Sequence, residues 1–299
     1  MSAKPKLIVI LGPTAVGKSD LAVELAKDIH GEIVSADSRQ IYRGMTIGTG
    51  KITKKEMLGV PHHLLDIVEP MTEYNVTKYQ RDANKAIKGI LERQNTPIIC
   101  GGTGFYIQAV INDVVYPSVK PNKILRAKLE KKTLTSLLRQ LERLDKKTFD
   151  RIDKNNKVKI VRALEIVLTI GSVPPVQTSQ PYNVLQIGVI APDEVLKERI
   201  YKRLIKRLKV GMLREIRKLH DNGVSWKRME GFGLEYRYLT RYLTGQITKD
   251  QMIEQLNSAI WQYARRQKGW FRRDRNIQWF ELKDKNRIAK LIRKFMTKK

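Results

Sequence analysis

The stretch Gly12-Pro13-Thr14-Ala15-Val16-Gly17-Lys18-Ser19 decides the fold. It follows the apolar run Leu7-Ile8-Val9-Ile10-Leu11 and precedes Leu21, Ala22, Leu25, Ala26 and Ile29, which are spaced to share one helix face. A strand, a glycine-rich turn and a helix N-terminus make an anion site. The turn aims successive backbone N–H groups inward, and the helix adds the positive end of its dipole. Gly12 and Gly17 permit a backbone path that side chains would block; Lys18 reaches the outer phosphate and Ser19 offers a hydroxyl to Mg2+. An ordinary glycine-rich turn is the alternative, but the strand before and the helix after favour a phosphate loop. The expected ligand is a diphosphate or triphosphate.

Around this loop, 299 residues suffice for a large α/β domain or for a domain with an insertion. Hydrophobic residues make up 41 %, as in a globular protein. Lys and Arg number 58 against 30 Asp and Glu, a formal charge of +28. A metabolite enzyme needs no such excess. A polyanionic partner explains it, nucleic acid before anionic membrane, with a generally Lys-rich proteome as the plain alternative. The single Cys100 rules out an internal disulfide and ends an apolar strand, where a buried thiol is expected. No run reaches the ~20 apolar residues of a membrane span. Met1 to Lys6 is too short to be a cleavable signal, so a cytoplasmic protein is expected. His62 and His63 lack metal-ligand spacing partners, so a protein-held zinc is not expected.

Further strands are predicted at Glu32–Ser38, Pro97–Thr103, Val184–Ile190 and Ile277–Leu282, with a helix over Val76–Arg93. The fold class is therefore α/β, a P-loop NTPase-like doubly wound parallel sheet. Carboxyl ends of strands line the ligand crevice of such a sheet, which brings Asp37 and Ser38 beside the phosphate loop. Residues 117–181 hold no convincing strand. They open with Pro117 and Pro121, close with Pro174, Pro175 and Pro181, and contain basic helical segments at 125–132, 134–144 and 157–169. A helical insertion domain over 117–181 is expected, leaving 1–116 and 182–299 as the core, and a lid over the phosphate site is its functional reading.

A long helix is predicted from Val195 to Leu219, repeating Leu196, Ile200, Leu204 and Leu208. A second basic helix ends Ala264-Arg265-Arg266-Gln267-Lys268-Gly269-Trp270-Phe271-Arg272-Arg273. Aromatic and guanidinium planes are what unstacked RNA bases lie on, although a solvated basic face with its aromatics in the core reads equally well. The chain has no Asn-Lys-x-Asp base reader of a GTPase. Its best candidate for a motor's Mg2+-binding strand ends Cys100-Gly101-Gly102 instead of in Asp. Small transferases remain, in which a carboxylate near the loop activates an acceptor. Asp37 is the candidate, against a plain strand-end cap.

These residues resemble one family closely, the bacterial tRNA dimethylallyltransferases. The likeness rests on the loop at 12–19, Asp-Ser-Arg-Gln-Ile-Tyr-Arg-Gly-Met at 37–45 and Ile-Gly-Thr-Gly-Lys at 47–51. Pro-His-His-Leu-Leu-Asp at 61–66, Gly-Gly-Thr-Gly-Phe-Tyr at 101–106 and Arg-Ala-Leu-Glu at 162–165 complete it. The resemblance implies transfer of a dimethylallyl group from dimethylallyl diphosphate to the exocyclic amine of the adenosine 3′ of the anticodon, in a monomer that needs no membrane. It implies that the ATP-binding-type loop, Gly12, Pro13, Thr14, Ala15, Val16, Gly17, Lys18 and Ser19, holds the prenyl diphosphate with Mg2+ at Ser19. Asp37 would be the general base, with Thr14, Lys18 and Arg203 completing the catalytic set. Ser38, Arg39, Gln40, Thr103, Arg126 and the segment Val158, Lys159, Ile160, Val161, Arg162 match tRNA-contacting positions. Arg265, Arg266, Gln267, Trp270 and Arg272 are expected to join them.

Two stretches depart from the family pattern. Gly233-Leu234-Glu235 stands where Gly-Tyr-Lys or Gly-Tyr-Arg is usual, and Lys268-Gly269-Trp270 where a β-branched residue or Met followed by Thr is commoner. A small-molecule or nucleoside kinase with a lid, and a non-catalytic RNA-binding protein, are the competing readings. Charge and the Asp37 segment speak against the first; an intact Lys18-Ser19 pair speaks against the second.

Overall fold

The computed structural model describes residues 4–298. Six strands, β1 (Lys6–Leu11), β2 (Gly31–Ala36), β3 (His62–His63), β4 (Thr96–Gly101), β5 (Asn183–Ile190) and β6 (Ile277–Glu281), form one sheet in the order β3-β2-β4-β1-β5-β6. Every named pair is parallel. The alternation along β1 fixes its two faces. Ile8 and Ile10 pack with Ile98, Cys100, Ile187 and Val189 on one side, and Leu7, Val9 and Leu11 with Val34, Ile99 and Ile107 on the other. A strand covered on both faces reads as a continuous apolar run, as Leu7–Leu11 does. The order reverses between β1 and β4, so the turns after these neighbouring strands open the crevice at the switch point. These turns are the phosphate loop and Gly102-Thr103.

Two compact units emerge: Met1–Asp113 with Gln180–Lys299, and Val114–Ser179. The second contains the helices Lys123–Glu130, Leu134–Leu144, Lys146–Arg151 and Lys157–Ile170 around Leu129, Leu137, Leu141, Ile160 and Leu164. Its edges fall within three residues of the proline-bounded 117–181, and an isolated bridge between Val115 and Gln177 ties its two ends. The expected single helix over 195–219 is two, Asp193–Lys209 and Met212–Asp221. Gly211 breaks it with a φ of 108°, a left-handed conformation that suits glycine. The leucine repeat carries across the break, so periodicity alone conceals it. The two-residue β3, beside Ile33 and Val34 of β2, has no periodic signature at all.

Two buried glutamates brace these units. Glu32 takes Arg93 at 2.7 Å, Asn95 at 2.7 Å and His63 at 2.6 Å; Arg93 leads the interactions that hold its carboxyl down at about 2. Burial alone would raise Glu165, but Arg126, the Asn122 amide and Arg162 bring it to about 2 as well. Each pKa is depressed below the ~4.3 of an unfolded chain. The stability they contribute is complete above that value and is lost as pH falls through it toward about 2. The thermal midpoint should therefore fall steeply from about pH 4.5 downward. A midpoint that stays level across that interval in a pH series of unfolding curves would contradict it.

Candidate active site

The helix Lys18–Asp28 begins at Gly17, itself left-handed with φ 95°, and no side chain accepts its first-turn N–H groups. Helix N-terminal N–H groups without a side-chain cap are available to an anion. Gly12 lies so close to β5 that a Cβ there would stand 2.4 Å from the Val189 carbonyl oxygen. Lys18 folds back and donates from Nζ to the Pro13 carbonyl at 3.0 Å. Burial pulls its ammonium below the ordinary range, and the charge of Arg203 adds to that pull. An arriving anion would relieve both. The loop is pinned from outside by Gln267, whose Oε1 accepts from the Thr14 N–H at 2.9 Å while Nε2 donates to the Gly102 carbonyl at 2.9 Å. Cys100 is buried behind the loop as expected, its thiol pushed up to about 11 by burial.

Asp37 follows β2. Its Oδ1 accepts from the Arg39 N–H at 2.8 Å and the Gln40 N–H at 3.3 Å, and Oδ2 takes no hydrogen bond among the described residues. One oxygen shapes the turn and the other is available. Thr103 locks this turn to the one after β4, its Oγ1 accepting from the Ser38 N–H at 3.2 Å and its own N–H reaching the Ala36 carbonyl at 3.1 Å. Gln40 donates to the carbonyls of Thr49 and Gly50, each at 3.4 Å. Sequence reasoning missed Glu215, which accepts from the N–H groups of Thr46, Ile47 and Gly48 and from the Tyr236 hydroxyl. Such capping of three successive amides leaves no trace in residue spacing.

Two openings flank the loop. A cleft of about 570 Å3 is lined by Lys18, Ser19, Lys51, Arg199, Arg203 and Arg207 among others. An apolar pocket of about 210 Å3 is lined by Thr103, Phe105, Tyr263, Arg266, Gln267 and Trp270. Asp37 is close enough to act electrostatically on Arg203 and Arg207 of the first and on Tyr263 of the second. The carboxylate lines neither opening but lies in the electrostatic environment of both.

The structure brings Thr14, Lys18, Ser19, Asp37, Ser38, Arg39, Gln40, Thr103, Arg203 and Gln267 into one unit. It gives several of them internal employment. Gln267 is 7 % exposed and each end of its amide makes one bond, so it fixes the loop and has little surface to offer RNA. Arg265, Arg266 and Arg272 are exposed and Trp270 is 36 % exposed, whereas Phe271 is 4 % exposed in the core. The aromatic pair of the basic helix thus divides between the two readings. In the other unit, Arg126 and Arg162 both clasp Glu165. Val158 is 79 % exposed and Lys159 is exposed too, but Ile160 and Val161 are buried. Helical periodicity turns those two side chains into the core of the insertion, so neither presents a surface for RNA. At the first departure, Glu235 faces Arg207 at 3.5 Å. At the second, Lys268 pairs with Asp193 at 2.7 Å, and Gly269 has open space beside it.

The family model for IPP transferase matches residues 40–274. The chain is 42 % identical over 268 residues to tRNA dimethylallyltransferase 2 of Shewanella sediminis, covering 89 % of each chain. It is 42 % identical over 279 residues to tRNA dimethylallyltransferase 2 of Treponema denticola, covering 91 % of this chain and 93 % of that one. Among solved structures it resembles the full-length tRNA isopentenylpyrophosphate transferase of Bacillus halodurans, with 37 % identity, a TM-score of 0.76 and coverage of 97 % and 96 %. It also resembles a eukaryotic dimethylallyltransferase acting on tRNA, with 25 % identity, a TM-score of 0.78 and coverage of 93 % and 74 %.

Proposed function

The chain belongs to the IPP transferase family, and on that premise we propose a complete reaction for its site. It is a transferase that moves a dimethylallyl group onto tRNA. The donor in our reading is dimethylallyl diphosphate, its diphosphate seated in the cleft beside Lys18 and Arg203. The acceptor is the N6 amine of the adenosine 3′ of the anticodon, and the reaction takes place in the cytoplasm. The observation that carries this reading is the position of Asp37, within electrostatic reach of the cationic cleft and of the apolar pocket.

The donor's allylic C–O bond breaks with its electron pair leaving on diphosphate. The N6–C bond forms, and the amine proton passes to Asp37. The first-turn N–H groups, Lys18 and Arg203 stabilise the charge growing on the leaving group. Asp37 also opposes the positive charge that develops on the allyl fragment. An adenine stacked in a loop is out of reach, so it must be turned into the protein at a cost of a few kcal/mol. Phe105, Tyr263 and Trp270 offer the apolar and aromatic surface that would repay this cost, and Arg265, Arg266 and Arg272 the charge for nearby phosphates.

Among the described residues no cluster of three or more His, Cys, Asp or Glu side chains could hold a metal. In this reading the Ser19 hydroxyl, which lines the cleft with Lys18, would be the protein's ligand to Mg2+, and phosphate and water oxygens would fill the rest of its shell. When bound, Mg2+ supplies further neutralisation of the diphosphate. In this proposal the exposed Val158 and Lys159 of the insertion unit contact RNA.

The direct test is label transfer from dimethylallyl diphosphate to an anticodon stem-loop whose anticodon is followed by adenosine. ATP turnover without prenyl transfer would overturn the proposal in favour of a kinase. With a formal charge of +28, stem-loop affinity should fall with salt along a log–log slope of several units. Filter binding across a salt series reads the slope, and a flat line would assign the basic excess to something other than RNA. No helix among the described residues is long and apolar enough to cross a membrane.

A further inference from the structure

Thr46, Ile47, Gly50 and Lys51 line the cleft that also holds Lys18. Residues 46–50 form turns alone, with no helix or strand to fix them. The same loop touches the turn that carries Asp37. The carbonyls of Thr49 and Gly50 accept from Gln40 Nε2, and the Gln40 N–H donates to Asp37 Oδ1. A displacement of this loop is therefore felt on two sides, in the cleft and at the carboxylate.

The anchor of the loop comes from far along the chain. Glu215 stands in the first turn of the helix Met212–Asp221. Its Oε2 accepts from the Thr46 N–H at 2.9 Å and the Ile47 N–H at 2.6 Å. Its Oε1 accepts from the Gly48 N–H at 2.9 Å and the Tyr236 hydroxyl at 2.7 Å. Successive amides turned toward one point make a nest for an anion, and here the protein fills the nest with its own carboxylate. The donors match the four lone-pair sites that a carboxylate offers. Tyr236 is 1 % exposed, and burial together with the Glu215 charge holds its hydroxyl well above the ordinary range, so it remains a donor. Gly48 makes room for that ring, since a Cβ there would stand 2.8 Å from the Tyr236 hydroxyl. Water could satisfy the amides of a passive loop in many conformations. A charged anchor bonded this fully selects one.

We propose that Glu215 is a positioning residue for the transfer reaction. Through the amides of residues 46–48 it holds the loop that joins the donor cleft to the Asp37 turn, with Tyr236 as its own support. The proposal rests on the donor-site and base readings above. Glu215 touches neither substrate and acts by keeping the two reacting sides in register, where a misplacement of about 1 Å can cost ~10²-fold in rate.

The test sets the KM for dimethylallyl diphosphate and the single-turnover rate of the full chain beside its stem-loop affinity. Glu215→Gln keeps the size of the side chain but turns an NH2 group toward N–H groups. It should raise the donor KM roughly ten- to a hundredfold, the range for lost hydrogen bonds to a charge. The single-turnover rate should fall by about tenfold or more. Stem-loop affinity should stay within about threefold, because many phosphate contacts carry it. Tyr236→Phe should move KM and rate in the same direction by less. The double variant should fall short of the product of the two single effects, since Tyr236 acts through Glu215. A merely structural Glu215 would lower the thermal midpoint and leave KM and rate of the folded protein within about twofold, and that result overturns the proposal. Equal losses of donor and stem-loop binding overturn it as well, because they mark a general collapse. Fully multiplicative effects in the double variant overturn the part given to Tyr236. Should Glu215→Gln not fold, Tyr236→Phe decides, and unchanged KM and rate there overturn the whole. An unaltered chain that transfers no prenyl group fails earlier, at the proposed reaction, and takes this proposal with it.

Discussion

Asp37→Asn is expected to slow prenyl transfer by about 10²–10⁴ while leaving donor affinity nearly unchanged. The Asp37 carboxylate does two things that this variant separates. Its Oδ1 caps the turn by accepting from the N–H groups of Arg39 and Gln40, and an asparagine oxygen can continue to do so. What asparagine cannot do is accept the amine proton or set a negative charge against the forming allyl cation. Asp37→Ala confounds the two by also freeing the turn, at a cost of about 1 kcal/mol for a lost cap. Single-turnover transfer at saturating stem-loop reads the chemical step, and pyrophosphate competition reads the donor seat. Asp37→Asn with most of its activity intact would leave Asp37 as a turn cap and send the search for the base elsewhere.

The fold was legible wherever one chemical signal did one thing. The run Leu7–Leu11 before a glycine-rich loop announces a central parallel strand, and it is one, covered on both faces. Prolines at 117, 121, 174, 175 and 181 mark the insertion because proline ends regular structure whatever the tertiary context. The break at Gly211 was hidden because an apolar repeat persists through a left-handed residue that only coordinates reveal. The site divides in the same way. Lys18, Ser19 and Asp37 follow from motif and strand end. Gln267 does not: it reads as an RNA contact, since nothing in its neighbours says that its amide bridges Thr14 and Gly102. Ile160 and Val161 show the converse error, in which a segment carried over whole includes residues that the helix turns inward. Glu215 was invisible because its role depends on residues 46–48, brought against it from over 150 residues away in the chain.

Lys18→Ala should fail differently from Asp37→Asn, and the difference tests how the site divides its labour. Lys18 meets the diphosphate both when the donor sits and when it breaks, so affinity and turnover should fall together. Loss of a charged hydrogen bond weakens donor binding by roughly ten- to a hundredfold. Loss of one donor to a developing oxyanion lowers kcat by about 10²–10³. In the free protein Lys18 spends its Nζ on the Pro13 carbonyl, so alanine also removes a brace from the loop. Lys18→Met, which keeps the length and the apolar stem without the charge, shows how much of the loss comes from that brace. Equilibrium binding of pyrophosphate beside single-turnover transfer separates the outcomes. A Lys18→Met protein that binds pyrophosphate as the unaltered chain does would remove Lys18 from the ground-state seat, leaving its charge to act only on the departing diphosphate. One that both binds and transfers normally would show that the donor does not occupy the phosphate loop.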